Sequence, residues 1–195
     1  MDGPRADAEQ LALAAKAGDR AALSALHPLV APALVAWARL RVRARLRVHL
    51  DPDDLVQDVW VRAMGVIASF APENCTFRAW LFRVAKNVLL EAQRAAHRGV
   101  PGSGDTSLVG RLHAIPADVT SVTQRVSRDE GVQTFLAEVE KLDPTDRRLV
   151  VHCGLEEMTQ VEVATMLGID YEALAKRWQR LRAKLATWGA AAGLA

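Results

Sequence analysis

The chain has 195 residues and a net charge of +2; half of its residues are apolar, a quarter are charged, and its mean hydropathy is near zero. This composition can bury a core, which excludes a disordered chain, and the length allows one domain or two small ones. The two cysteines, Cys75 and Cys153, are too few and too far apart for a disulfide scaffold or a CxxC motif. We therefore expect a protein of the reducing cytoplasm.

The sequence carries no predicted targeting or membrane segment. Its N-terminal residues lack the basic and apolar regions of a secretory signal. The longest charge-free stretch in the first half, Pro28 to Ala38, contains two prolines and is shorter than the ~20 apolar residues of a membrane helix. We expect no membrane insertion.

A helix is predicted to begin at Asp51. This residue precedes a proline and two further aspartates, which is typical of a capped helix N-terminus with an acidic first turn. Over residues 53–64, Leu55, Val59 and Ala63 then fall on one side of an amphipathic helix.

Upstream of this helix, arginines alternate with apolar residues over positions 39–48. A period of two is typical of a strand. An isolated strand among helices has no pairing partner, so we predict that this segment is helical.

A second amphipathic helix is predicted over residues 76–94. Its apolar positions Phe77, Leu81, Val84 and Val88 face one way, and Arg83, Lys86, Asn87 and Arg94 cluster on another side. Trp80 lies between the two groups. Aromatic side chains beside cations and amides suit contact with unstacked bases and single strands. Burial of Trp80 and Phe82 in a core, with solvated cations, explains the spacing equally well.

Residues 97–127 are rich in glycine, proline, serine and threonine and have no sustained period. We interpret them as a linker that makes short contacts through Leu108, Leu112 and Ile115. The predicted domains are therefore residues 1–96 and residues 128–195.

Charge is distributed unevenly after the linker. Residues 128–174 carry 4 basic and 11 acidic residues, a net charge of −7, whereas residues 175–187 carry 5 basic residues and no acidic one. A solvated charged face would account for this pattern. A cationic helix at the end of a small domain is also the electrostatic signature of a nucleic-acid-binding protein.

Capping signals divide the C-terminal segment into short helices. Asp143 repeats the N-terminal signal of Asp51, and Thr159 with Glu162 has the spacing of a capping box. Gly154 and Gly168 stand where helices are expected to stop.

Residues 159–185 have the pattern of a helix-turn-helix motif. A short apolar face formed by Val161, Ala164 and Leu167 precedes a tight break at 168–170, where Asp170 is a candidate cap. In the following helix the inward stripe is Tyr171, Leu174, Trp178, Leu181 and Leu185. The outward stripe, about 120° away, is Ala173, Lys176, Arg177, Arg180 and Lys184. An ordinary amphipathic helix is the simpler alternative, but a positive outward stripe suits a recognition helix in a major groove.

No catalytic constellation is present in the sequence. The motifs GxxxxGK, HExxH and GxSxG are absent, and the five histidines have no metal-ligand spacing. We predict a protein that is not an enzyme and has no catalytic residues, no bound metal and no cofactor.

Two blocks of the chain resemble a known family. The strings DPDDLVQDVWVRAM and FRAWLFRVAKNVLLEAQR resemble region 2 of the bacterial sigma-70 family, in its extracytoplasmic-function (ECF) group. The segment from LDPTDRRLV to KRWQRLRAKL resembles region 4 of the same group. The resemblance covers roughly residues 10–96 and 129–187, in the expected order. It implies an all-α fold, with a helical bundle and a helix-turn-helix domain joined by a flexible linker.

The resemblance also implies a function. A sigma factor binds core RNA polymerase, recognises the minus-thirty-five and minus-ten promoter elements, and helps melt promoter DNA to initiate transcription. The implied partners are the clamp helices of the largest catalytic subunit, duplex and single-stranded promoter DNA, and an anti-sigma protein.

Three sets of site residues follow from the resemblance. The polymerase-binding set is Asp54, Gln57, Asp58 and Arg62. The minus-ten set comprises a loop, Ala71, Pro72, Glu73, Asn74, Cys75 and Thr76, and the helical residues Arg78, Trp80, Arg83, Lys86 and Asn87. The minus-thirty-five set is Asp170, Glu172, Ala173, Lys176, Arg177, Arg180 and Lys184.

Two alternatives from other classes remain at this point. A stand-alone helix-turn-helix transcriptional regulator would bind its operator tightly without polymerase, and gel shift with the protein alone would reveal it. An interaction protein that mimics a sigma factor would not touch DNA, which the cationic helix argues against.

Overall fold

The computed structural model describes residues 4–42, 44–97, 123 and 125–191, and every regular element in these ranges is helical. The chain divides into two compact units, Met1–Ser127 and Arg128–Ala195. The prediction of an all-α protein is confirmed. Of the predicted linker, residues 98–122 and residue 124 lie outside the described residues, and with them Leu108, Leu112 and Ile115.

The N-terminal unit is a bundle of helices around an apolar core. Its elements are α1 (Pro4–Lys16), α2 (Arg20–Arg41), α3 (Ala44–Arg47), α4 (Pro52–Gly65), a 3₁₀ turn (Ile67–Ser69) and α5 (Phe77–His97). Helix α2 packs against α1 and α4, and α4 packs against α5. Leu34, Trp37, Leu55, Leu81 and Phe82 are fully buried between them. This core fixes which faces of α4 and α5 remain at the surface.

Helix α2 is longer than the charge-free stretch of Pro28 to Ala38 suggested, because it continues through both prolines. From the sequence we expect no segment long enough to cross a membrane, but by length and composition alone this helix could do so. However, 61% of its most apolar window is buried inside the protein. Its apolar side chains, including Leu26 and Trp37, pack in the core. Most of the apolar window of the helix is therefore buried within the unit.

The arginine-rich segment is helical, as predicted, but it is not one continuous helix. Helix α2 ends at Arg41, Val42 is fully buried, and α3 follows as a single turn. Arg47 folds back and donates from Nε to the carbonyl oxygen of Val42 at 3.1 Å and from Nη2 to that of Arg39 at 3.3 Å. Since the last carbonyls of a helix lack partners within it, Arg47 acts as a C-terminal cap of α2.

Ser127, near the end of the predicted linker, is held by the N-terminal unit. Its hydroxyl donates to Asp53 Oδ1 at 2.7 Å, and both Ser127 and Thr123 are buried. The same carboxylate lies 3.6 Å from Arg39 Nη2. These contacts fix the segment just before residue 128 to the first turn of α4.

The C-terminal unit is a second small helical bundle. Its elements are α6 (Glu130–Glu140), α7 (Pro144–Leu149) continued by a π-helical turn (Val150–Leu155), α8 (Gln160–Leu167) and α9 (Tyr171–Ala191). Phe135, Val139, Leu149, Val163 and Leu174 form its core. Helix α9 packs against all the other helices of this unit.

The predicted caps are confirmed at the N-termini of three helices. Asp51 accepts from the Asp53 amide at 2.7 Å, and Asp143 accepts from the Thr145 and Asp146 amides. Thr159 and Glu162 form the complete capping box of α8. Each of these bonds satisfies helix-terminal N–H groups that have no partner within the helix.

Two details of the C-terminal unit correct the sequence prediction. Gly154 does not end a helix but lies within the π-helical turn, where a Cβ would come 3.3 Å from the Trp178 ring. Val161 is 62% exposed, whereas Val163 provides the buried contact of α8. A helix of only two turns leaves the choice of buried face to its neighbours.

Gly168 supplies a test of the turn between α8 and α9. It has φ +64°, the left-handed conformation, and no atom of the described residues lies within 4 Å of an added Cβ. We expect Gly168→Ala to lower the free energy of unfolding by about 1–2 kcal/mol through backbone strain. Gly168→Asn should lose less, because asparagine tolerates this conformation. Denaturant unfolding of the full chain measures both, and an unchanged Gly168→Ala variant contradicts the assignment.

Candidate functional site

The predicted polymerase-binding residues lie together on the solvent side of α4. Asp54 is exposed, and Gln57, Asp58 and Arg62 are half-buried. The opposite side of the helix carries Leu55, Val59 and Ala63, which are fully buried. Arg62 Nη2 lies 3.0 Å from Glu91 Oε2 on α5.

The carboxylates of this face are poorly stabilised as anions. Burial, and then repulsion from Asp54, raises the pKa of Asp58 to about 6, and the nearby Arg62 opposes the rise. Burial, together with Asp51 and Asp53, also raises the pKa of Asp54. A cationic group placed against this face would offset both the mutual repulsion and the cost of desolvation of these carboxylates, because its charge favours their ionised form.

The segment 71–76 forms an exposed loop between the 3₁₀ turn and α5. Pro72, Glu73, Asn74 and Thr76 are exposed, while Ala71 and Cys75 are half-buried. The Asn74 amide donates to the carbonyl oxygen of Ala71 at 3.0 Å, which closes a turn. Thr76 Oγ1 accepts from the Ala79 amide at 3.1 Å and so caps α5.

Trp80 belongs to the core and not to the exposed surface of α5. It is 5% exposed, with ring centroids 5.7 Å from Phe70 and 5.5 Å from Phe77. Its indole Nε1 donates to Ser69 Oγ at 3.4 Å. Phe82 is buried against Trp37. Of the two interpretations of these aromatic residues, the core interpretation is therefore the right one, and Trp80 presents no face for a base to stack on.

The polar residues predicted on α5 do not all share one face. Arg83, Asn87 and Arg94 are exposed, and Lys86 is half-buried beside them. At about 100° per residue, Arg78 lies about 140° away from Arg83. Its guanidinium is 5.8 Å from the centroid of the Phe82 ring.

Helix α9 presents a cationic stripe to solvent, defined here as Lys176, Arg180 and Lys184. All three residues are exposed, together with Glu172 and Ala173. The inward side is formed by Leu174, Trp178 and Leu181, which are buried. The predicted inward residue Tyr171 is instead 50% exposed, and Leu185 is half-buried. Tyr171 is the first residue of the helix.

Asp170 and Glu172 have local partners at the start of α9. Asp170 Oδ1 accepts from the Ala173 amide at 3.0 Å, which confirms the predicted cap. Glu172 lies 4.0 Å from Lys176 Nζ, one helical turn away. The anionic groups of this end are thus partly neutralised within the helix.

Arg177 is engaged within the C-terminal unit. Its guanidinium donates to Asp146 from Nε and to Asp143 from Nη2. Desolvation tends to raise the pKa of Asp143, but hydrogen bonds from the Asp146 and Thr145 amides, and then the charge of Arg177, hold it below its ordinary value. These partners are 31 and 34 positions away, so helical spacing alone could not reveal the contact.

Comparison with known proteins assigns the family. A family model described as sigma-70 region 2 matches residues 29–99. The chain is 32% identical to RNA polymerase sigma factor CnrH of Cupriavidus metallidurans over 140 residues, which cover 69% of this chain and 71% of CnrH. The chain belongs to the sigma-70 family of RNA polymerase sigma factors, in its ECF group.

Further relatives extend this similarity along the chain. This sigma factor is 27% identical over 175 residues to ECF RNA polymerase sigma factor SigE of Mycolicibacterium smegmatis, covering 86% of this chain and 63% of SigE. It is 26% identical over 204 residues to ECF RNA polymerase sigma factor SigD of Mycobacterium bovis, covering 97% of this chain and 88% of SigD. A solved structure of CnrH in complex with the cytosolic domain of CnrY matches 93% of this chain and 96% of that one, at 27% identity and a TM-score of 0.43.

The function of this sigma factor follows from its family. It is a promoter-specificity factor whose partners are RNA polymerase and promoter DNA. Sigma factors are transcription initiation factors, not enzymes, and they act on polymerase in the cytoplasm. The similar proteins give no support to a stand-alone regulator.

The raised pKa of Asp58 predicts a pH-dependent stability of this sigma factor. The carboxyl has a pKa of about 6 in the folded chain and its ordinary pKa of 3.8 in the unfolded chain, so stability falls as pH rises through this window. Asp58→Asn should remove this loss and raise the free energy of unfolding at pH 7 by about 1 kcal/mol, after solvent screening. Urea unfolding at pH 4 and pH 7 measures the effect. A titration midpoint of Asp58 near 3.8 by NMR would contradict the prediction.

Proposed function

We propose that the two units divide promoter recognition between them. The N-terminal domain, residues 1–96, binds core RNA polymerase and the melted minus-ten element. The C-terminal domain, residues 128–195, binds the minus-thirty-five element as duplex DNA, and residues 97–127 link them. The observation that carries the DNA-binding part is the stripe of Lys176, Arg180 and Lys184, which lies opposite the buried side of a helix-turn-helix.

The proposed polymerase contact is the acidic face of α4, formed by Asp54, Gln57, Asp58 and Arg62. Two features support it besides the family resemblance. The side chains are accessible on one side of a helix whose other side is anchored in the core. The carboxylates of Asp54 and Asp58 repel each other, and Arg62 offsets only part of the rise in the pKa of Asp58, so a basic partner surface would gain by approaching them.

The proposed minus-ten surface is the loop 71–76 with the exposed face of α5. The loop projects exposed polar groups, and flipping a base into a site costs a few kcal/mol of stacking that such contacts must return. Arg83, Lys86 and Asn87 then provide cations and an amide for the strand that leaves the loop. Since Trp80 is buried, we assign it to supporting this surface, and Arg78 to its margin.

The proposed minus-thirty-five contacts are centred on Arg180, with Lys176 and Lys184 directed at phosphates. Arginine can donate two hydrogen bonds to a guanine edge, whereas lysine neutralises phosphate without reading sequence. Arg177 contributes charge beside this stripe, but its guanidinium donors are engaged by Asp143 and Asp146. At the first turn of α9, the small side chain of Ala173 leaves room for the DNA to approach. Asp170 and Glu172 precede Ala173 in the same turn.

An anti-sigma protein completes the proposed set of partners. The family resemblance is the basis of this assignment. A protein that covers the acidic face of α4 or the cationic stripe of α9 would block polymerase or promoter binding by direct competition.

Run-off transcription tests the function as a whole. The full chain is combined with core polymerase on a library of promoters that vary at both elements. We expect transcripts only from templates that carry both a preferred minus-ten and a preferred minus-thirty-five sequence. Failure of the purified chain to associate with core polymerase at low salt, without an inhibitor, would refute the proposal.

The polymerase contact is tested by charge reversal on α4. The double variant Asp54→Lys, Asp58→Lys should bind core polymerase about a hundredfold more weakly, because like charges across an interface cost several kcal/mol. Glu130→Lys with Glu140→Lys makes the same change of net charge at exposed positions of the other unit, and serves as the control. Pull-down measures binding and circular dichroism verifies folding; unchanged pull-down by the α4 variant rejects the site.

The duplex contact is tested on α9. Arg180→Ala should cost ~1–3 kcal/mol in promoter binding by the holoenzyme and relax preference at one base position, if the side chain reaches a base edge. Arg182→Ala removes an exposed arginine of the same helix outside the stripe and is the matched control. Arg177→Ala should instead lower the stability of the C-terminal unit. Transcription that depends on the minus-thirty-five sequence to the parental extent in Arg180→Ala would show the assignment to be wrong.

A further inference from the structure

Helix α1 is bonded to both ends of the loop 71–76. Lys16 Nζ donates to the carbonyl oxygen of Phe70 at 2.6 Å, and the Phe77 amide donates to Glu9 Oε1 at 2.6 Å. Phe70 and Phe77 are the residues that directly flank the loop. Two side chains that are 54 and 68 positions away in sequence thus hold its first and last backbone groups.

The two side chains project from one stripe of α1. Glu9 and Lys16 are seven residues apart, which is nearly two helical turns and about 10 Å along the axis. Ala12 lies between them on the same stripe and is fully buried. Helix α1 contacts both the 3₁₀ turn and α5, and both polar groups reach the backbone of the loop ends.

Aromatic contacts hold the two ends of the loop together. The rings of Phe70 and Phe77 meet edge to face with centroids 5.5 Å apart, and the Trp80 ring contacts both. The two ends of the loop therefore lie on an apolar cluster of aromatic rings, and the backbone at each end is hydrogen-bonded to α1. Glu73 and Asn74, in the middle of the loop, are exposed to solvent.

Each of the two hydrogen bonds joins a charged side chain to a backbone atom and is partly buried. Glu9 accepts at the N-terminus of α5, where the helix has unpaired N–H groups and a partial positive charge. Hydrogen bonds to ionised partners are stronger than neutral ones. A loop fixed in this way loses less conformational freedom when it captures a ligand, which favours binding.

We propose that Glu9 and Lys16 are positioning residues for minus-ten recognition. They hold the loop 71–76 in the shape that accepts an unstacked base, while neither residue contacts the DNA. This inference rests on the proposed function of the loop. It adds α1, which the sequence analysis left without a role, to the machinery of promoter melting.

The test uses the full chain assembled with core polymerase and promoters that differ at the flipped minus-ten base. We compare open-complex formation on promoters that carry the preferred base with that on promoters that carry another base. Glu9→Gln and Lys16→Met should each reduce this ratio by about tenfold, because each variant loses one charge-assisted hydrogen bond. Affinity for core polymerase and preference at the minus-thirty-five element should stay at the parental level. Lys16→Arg, which keeps a cationic donor, should restore the ratio.

Two controls separate this inference from its premise. Asp7→Asn removes an exposed carboxylate from the same helix and should leave the base preference unchanged. Glu73→Ala and Asn74→Ala alter the loop itself and should flatten the preference if the loop reads the base. If the loop variants lose the base preference while Glu9→Gln and Lys16→Met keep the parental preference, the role of α1 is wrong. The proposed function of the loop is then still supported. Parental preference in the loop variants overturns the minus-ten assignment, and the role of α1 with it.

Discussion

Burial of aromatic rings sets the orientation of the two helices that carry the candidate DNA-binding surfaces. Trp80 packs against Phe70 and Phe77, which turns Arg83 toward solvent and closes the base of the loop before α5. In the C-terminal unit, buried Trp178 similarly determines which side of α9 faces outward. A large ring removed from water contributes more free energy than any single surface charge, so the charged stripes follow the aromatic packing.

Opposite charges have separate roles within each unit. In the N-terminal unit, desolvated carboxylates on α4 lie on a face that is suited to a cationic partner, whereas α5 presents cations. In the C-terminal unit, the N-cap Asp143 and Asp146 of α7 bind Arg177, while Arg180 remains exposed about one turn further along α9. The net charge of +2 therefore does not indicate which surfaces of the protein bind polymerase or DNA. What matters is which ionised groups are paired within the unit and which are left for a partner.

Local chemistry made several features predictable. A helix cap depends on residues two or three positions apart, so Asp51, Asp143 and the Thr159 box were identified correctly. Buried α4 residues such as Leu55 followed from helical spacing in the same way. The predictions failed where spacing had to be combined with distant neighbours: Val161 is exposed although it fits the apolar pattern of its short helix.

The sequence by itself determined the helical class of this protein, the positions of its caps and, through two specific motif blocks, its family. These properties are encoded in contiguous residues and need no knowledge of what packs on them. Only the tertiary structure decided that Trp80 is core, that Arg177 is held by α7, and that Glu9 and Lys16 reach the loop ends. Each of these depends on groups 11 to 68 positions apart being brought together by core packing, which periodicity along one helix does not encode.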